Sequence, residues 1–182
     1  SYEQTYDPEG NTLVLMSMNV DKNQQGTQLP AKLVTQAQLL ATYLGVDHLI
    51  GSFRPSQYGL AKAQYGSGLS FWDYATKMKV SKKDSQGVFG EPGKEVQLPV
   101  DKWLRSLAWL GMIPIQEDST AMIVPCSIHD FEKYKQTYYP ESWWQSSTKT
   151  WECSEVGTWT IDGDSAIYQE SNLWGELPLL AK

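Results

Sequence analysis

At 182 residues the chain has the length of one compact domain, or of one domain with an appendage, and it is long enough to fold on a hydrophobic core without disulfide staples. Its 41% apolar and 20% charged residues exclude disorder along the whole chain. Fifteen Lys and Arg stand against 21 Asp and Glu, a net charge of −6, and no basic run exceeds Lys82-Lys83, which excludes broad binding to a nucleic-acid backbone. No apolar stretch approaches the ~20 residues that cross a bilayer, and the opening Ser1-Tyr2-Glu3-Gln4 has no signal pattern, so the expectation is a cytoplasmic chain that does not engage membranes. Cys126 and Cys153 lack a Cys-x-x-Cys partner or a nearby His pair. That spacing argues against a metal site, and for two reduced thiols over one disulfide.

Residues 11–20 form an apolar run between Pro8-Glu9-Gly10 and Asp21-Lys22-Asn23, which predicts a buried strand. Pro30 then stands at a first helical position, and Leu33, Ala37, Leu40, Ala41 and Leu44 recur at helical spacing before Gly45, which predicts a helix with that set facing the core. Residues 48–53 read as a second buried strand, completing a βαβ unit with two parallel strands.

Residues 69–78 predict a helix capped by Ser70, and residues 82–98, with Gly87, Gly90, Pro92 and Gly93, a long loop. A second helix is expected over 101–110, its apolar face Trp103, Leu104, Leu107 and Leu110, stopped at Gly111. Residues 112–115 and 120–124 read as antiparallel strands joined by the polar turn 116–119. Ser127 and Asp130 form a capping-box signal for a short helix, and Asp162-Gly163 marks a hairpin between 156–161 and 165–168.

The segment between the first strand and the first helix can aim backbone N–H groups and the positive end of a helix dipole at an anion, with Gly26 permitting close approach; a plain structural loop explains the same residues. His48 and His129 lack an orienting partner and read as structural, and no third residue supports Cys126 as a nucleophile beside His129.

The order of strand, Gln-Gly loop, amphipathic helix, Leu-Gly-Val and strand resembles the acyl-CoA-binding half of GNAT acyltransferases. Leu49 to Tyr58, Trp103-Leu104-Arg105, Leu110-Gly111, Val124-Pro125 and Tyr168 to Trp174 resemble more narrowly the GNAT-like domains of polyketide-synthase loading modules. The resemblance implies an α/β fold: a GNAT-like mixed sheet with a central βαβ unit, the N-terminal half of the fold missing, and a C-terminal α/β extension. On this reading residues 1–182 are one domain, a fragment of a larger multidomain chain.

In that family the pantetheine arm of coenzyme A runs into a splay between the two parallel strands, and its pyrophosphate sits on a Gln/Arg-x-x-Gly-x-Gly/Ala loop. The resemblance thus implies a cofactor site at Met18, Val20, Gln25, Gly26 and Thr27. Gln28 and Pro30 replace the two small residues of the loop, which predicts a weakened grip on pyrophosphate. Loading-type relatives decarboxylate a malonyl thioester and pass the acyl group to a carrier-protein thiol, chemistry that needs polar donors near the thioester oxygen. Ser56 and Arg105 are the candidate catalytic donors; turn capping by Ser56 and ion pairing by Arg105 are their structural alternatives.

Two functions follow from the resemblance. The first is a degenerate, noncatalytic structural or interaction domain, requiring no cofactor, that packs against a neighbouring catalytic domain of the same multienzyme. The second is an active acyltransferase or decarboxylase acting on a thioester of coenzyme A or of the phosphopantetheine arm of an acyl carrier protein. An unrelated α/β binding domain would lack the parallel pairing of 11–20 with 48–53.

Overall fold

A computed structural model describes residues 4, 6–18, 20–21, 23, 27–138 and 140–180. Among these, β1 (Thr12–Leu15) pairs in parallel with β2 (His48–Phe53), register Thr12 to His48 through Leu15 to Gly51, and α1 (Leu29–Leu44) connects them. The βαβ expectation is therefore met, but the first strand ends at Leu15 rather than at position 20, and its residues are only partly buried. Pro30 sits in the first turn of α1, and Gly45 closes it in the left-handed region at φ 73°, a geometry that disfavours any residue with a Cβ.

The core face of α1 matches the predicted set at Ala37 and Ala41 but not at its leucines. Val34, Gln38 and Ala41 are buried, whereas Leu33, Leu40 and Leu44 are exposed. Gln38 decides the orientation, because its Nε2 donates to the carbonyls of Leu110 (3.2 Å) and Pro178 (2.9 Å) and so ties the helix to two distant segments. Small side chains on the same face let the helix lie close to the sheet. Periodicity alone cannot separate an inward apolar stripe from an outward one.

After β2 come α2 (Tyr58–Tyr65), a helical stretch at 71–77 ending in a π-helical turn (Asp73–Lys77), and a two-stranded antiparallel sheet of β3 (Lys79–Lys83) and β4 (Glu95–Pro99). The Ser70 cap is present, its Oγ accepting from the Asp73 N–H at 3.3 Å. The loop expected over 82–98 is instead a hairpin with a long tip. Asp84, buried at the base of that tip, accepts from the N–H groups of Val88 (3.0 Å) and Phe89 (2.7 Å), which satisfies the turn and holds it.

Next, α3 (Lys102–Trp109) starts at the N-cap Asp101 and buries Leu104 and Leu107, as the spacing predicts; Gly111 follows at φ 86°. β5 (Ile113–Ser127) is one fifteen-residue strand, not two strands and a turn. The polar residues make irregularities in its register, between Pro114 and Gln116 and between Asp118 and Met122, because a continuous partner strand runs alongside and the chain bulges rather than reverses. Ser127 caps α4 (Ile128–Thr137), its Oγ accepting from Asp130 N–H at 3.1 Å. The hairpin of β6 (Trp144–Ser147) and β7 (Thr150–Glu152) had no reading in the sequence. β8 (Thr158–Asp162) and β9 (Ser165–Leu177) flank the predicted Asp162-Gly163 turn, with Gly163 at φ 59°.

The result is a mixed α/β architecture on a mainly antiparallel seven-stranded sheet, in the order β1-β2-β9-β8-β7-β6, with β5 along the other edge of β9. One end of β9 pairs with β2 (Leu173–Leu177) and the other with β8 (Ser165–Gln169), leaving Glu170–Asn172 without a strand partner on that side. α2 lies against the segment that precedes β8, where a Cβ on Gly59 would collide with the backbone carbonyls of Glu155 and Ser154, so only glycine permits this approach. Both cysteines are free thiols, Cys153 buried and Cys126 partly so. Among the described residues no helix is long and apolar enough to cross a membrane.

Candidate functional site

The parallel pairing stops at Leu15 and Gly51, while β2 continues to Phe53 and the segment after β1 runs through Met16, Ser17 and Met18. Between the parted segments lies a cleft of about 710 Å3. Leu33, Val34 and Ala37 of α1, Trp103 of α3 and Met122 of β5 contribute apolar wall, and the floor is formed by Ser52, Arg54, Glu170 and Asn172. The floor is polar because it coincides with the unpaired stretch of β9.

Glu170 is 2% exposed, and its two carboxylate oxygens accept from Arg54 Nε at 3.0 and 2.9 Å. Tyr168 donates its hydroxyl to Glu170 Oε2 at 2.6 Å while accepting from Gly157 N–H (3.1 Å) and Arg54 Nη2 (3.3 Å). Burial acts to lower the Arg54 pKa, but the Glu170 charge and Tyr168 outweigh it and raise it, so Arg54 stays cationic. Burial first, and Glu170 second, push the Tyr168 hydroxyl up, so it remains a neutral donor. Beside this unit Asn172 donates from Nδ2 to Ser52 Oγ at 3.1 Å, and its Oδ1 is buried with no partner among the described residues. Behind it, Lys62 pairs with Glu152 at 2.7 Å, both 3% exposed, and donates to the Gly157 carbonyl at 3.1 Å, which fixes the β8 end of the gap. Buried charges held this way are costly to strip of a partner and set geometry more than net stability.

The predicted site residues divide. Met18 lines the cleft. Val20 lies beyond it in chain order, partly buried, and Gln25 and Gly26 fall outside the described residues. Thr27 Oγ1 accepts from the Leu29 N–H at 3.1 Å, so one free donor at the start of α1 is already satisfied.

Ser56 and Arg105 are not among the cleft residues. Ser56 Oγ donates to the buried Asp101 carboxylate at 3.2 and 3.3 Å, and Arg105 Nη1 donates to the carbonyls of Pro99 (3.2 Å) and Val100 (3.0 Å). Asp101 also accepts from Gln57 N–H, Tyr74 hydroxyl, Trp103 N–H and Leu104 N–H, at 2.8 to 3.1 Å. This is a capping hub that joins α2, the π-turn and α3. Burial, then Asp101, push the Tyr74 hydroxyl up, and burial pushes Tyr58 up to about 12, with Glu117 and Glu152 adding to it.

No protein-family model, curated protein or solved structure matches this chain. The site therefore stands on its own geometry. Among the described residues no three His, Cys, Asp or Glu side chains gather to hold a metal ion. Arg54, Glu170 and Asn172 were not singled out from the sequence. Their signal was available in β9, where Ala166, Tyr168 and Glu170 alternate on the buried face, because a carboxylate at an inward position of an alternating strand requires a partner.

Proposed function

We propose that the chain is a GNAT-like domain that receives the phosphopantetheine arm of an acyl thioester and holds it without turning it over, beside a neighbouring domain of a polyketide-synthase-type loading region. The parting of β1 and β2, with a cleft of about 710 Å3 between them, carries this reading. It is the place where the GNAT resemblance puts the arm, and a volume of ~300–1,000 Å3 suits an extended small ligand. Apolar walls with a polar floor complement a chain of methylenes interrupted by amides.

Engagement of Ser56 by the Asp101 carboxylate, and of Arg105 by the Pro99 and Val100 carbonyls, supports a noncatalytic domain. With Gln28 as N-cap, Pro30 in the first turn of α1 and the Leu29 N–H on Thr27, the helix start offers few donors to a diphosphate; this favours carrier-bound phosphopantetheine over coenzyme A. The exposed Leu39, Leu40, Tyr43 and Leu44 of α1 support contact with a neighbouring domain. The assignment to a loading region rests on the sequence resemblance.

Titration with S-acetylpantetheine tests the reading. A saturable fluorescence change that is absent in Trp103→Phe, with a rise in Tm, is expected; no response to pantetheine or its thioesters would refute it. Incubation with malonyl-CoA and an acyl carrier protein should leave the carrier mass unchanged. Turnover that disappears in Arg105→Ala would establish the active acyltransferase or decarboxylase instead.

A further inference from the structure

Resting on the reading of the cleft as a thioester site, we infer that the unit of Arg54, Glu170 and Tyr168 makes it selective for an uncharged acyl group and excludes acyl groups that end in a carboxylate. Among the described residues that line the cleft, Arg54 is the single cation and Glu170 the single anion, and the others are uncharged. The guanidinium is thus already neutralised at hydrogen-bond distance, through Nε, by a carboxylate that is 2% exposed.

The side chain of Arg54 remains about half exposed. Among the described residues its Nη groups make one side-chain bond, to Tyr168, so N–H donors of a fixed fork are left over for a ligand. A neutral carbonyl oxygen can accept from them and leave the floor balanced. A ligand carboxylate would share one guanidinium with Glu170, placing two negative charges against one positive charge where apolar walls weaken screening.

The test uses isosteres that differ in charge alone: succinyl-pantetheine and its terminal carboxamide, succinamyl-pantetheine, titrated against the full chain with unacylated pantetheine as reference. The amide should bind about tenfold more tightly or better, corresponding to the like-charge penalty that it avoids. Glu170→Gln, checked for native near-ultraviolet dichroism, should narrow or invert the ratio, since Arg54 then lacks its counter-charge. Equal affinity, or tighter binding of the carboxylate by the natural chain, overturns the inference while leaving the thioester site standing. Absence of binding by all three compounds overturns both. If Glu170→Gln does not fold, the isostere ratio in the natural chain decides alone.

Discussion

The two ends of β9 lie in differently built surroundings. Around its first residues Phe131, Trp159, Ala166 and Tyr168 form a closed cluster, with Tyr134, Trp143, Trp151 and Ile161 packed on it. Phe131 is fully buried, with the rings of Trp159 at 5.1 Å and Trp143 at 5.7 Å, the latter edge-on at 86°. Around its last residues the core is built on Leu49, Leu104, Leu107, Leu173 and Leu177, and it opens into the cleft and onto the exposed face of α1. Packed rings close one region on itself. The other core also holds rings, Phe53, Tyr58, Phe71 and Tyr74 among its leucines, but the cleft wall it opens into is lined by Met16, Met18, Leu33 and Met122, whose adaptability suits a wall that must accept something else.

Substitutions can break this contrast. Phe131→Ala should cost ~3–5 kcal/mol, because the ring cluster loses its centre and cannot collapse around the void; urea denaturation followed by tryptophan fluorescence measures it. Asp101→Ala should cost ~2–3 kcal/mol, since several buried donors lose their one acceptor and α3 loses its cap. Ser56→Ala should cost only ~1 kcal/mol and leave ligand binding intact, which separates a capping hydroxyl from a catalytic one.

Tyr58 and Tyr74 belong to the open region's core and Tyr168 to the closed one, and all three have raised pKa values. Such phenols favour the folded state fully below the unfolded value of ~10, and the advantage disappears as pH climbs through the folded values, about 12 for Tyr58. Stability should therefore decline above pH ~10, with tyrosinate absorbance rising together with unfolding. Tyr58→Phe should flatten that decline. The smallest effect is expected at Leu33→Ala, on the cleft wall and 42% exposed, with a change within ~0.5 kcal/mol but weaker binding of S-acetylpantetheine.

Local chemistry explains what could be foreseen from the residues. Pro30 and Gly45 bounded α1, Asp101 and Gly111 bounded α3, and Asp162-Gly163 placed the last hairpin, because caps and turns are set by neighbours in sequence. What escaped depends on distant partners. The inward face of α1 is chosen by carbonyls at Leu110 and Pro178, far along the chain from Gln38. The continuity of β5 is imposed by β9, which arrives later in the chain and converts an apparent turn into a bulge. The functional groups of Ser56 and Arg105 point to catalysis, but their environment is set by Asp101 and by backbone carbonyls that spacing does not reveal. Arg54 and Glu170 are separated by 116 positions, so their union became visible only with the register of β9.

The strand from Ser165 to Leu177 comes after all three of its partners. During synthesis β2 and β5 wait with bare edges for a segment still inside the ribosome, and closing such long loops is slow. β5 carries Pro114 and Pro125, which lack the N–H that strand pairing uses, and its ladder is broken by bulges; both features hinder recruitment by another molecule during that interval. A chain cut before Ser165 would keep those edges uncovered permanently and is expected to associate rather than to persist as half a protein.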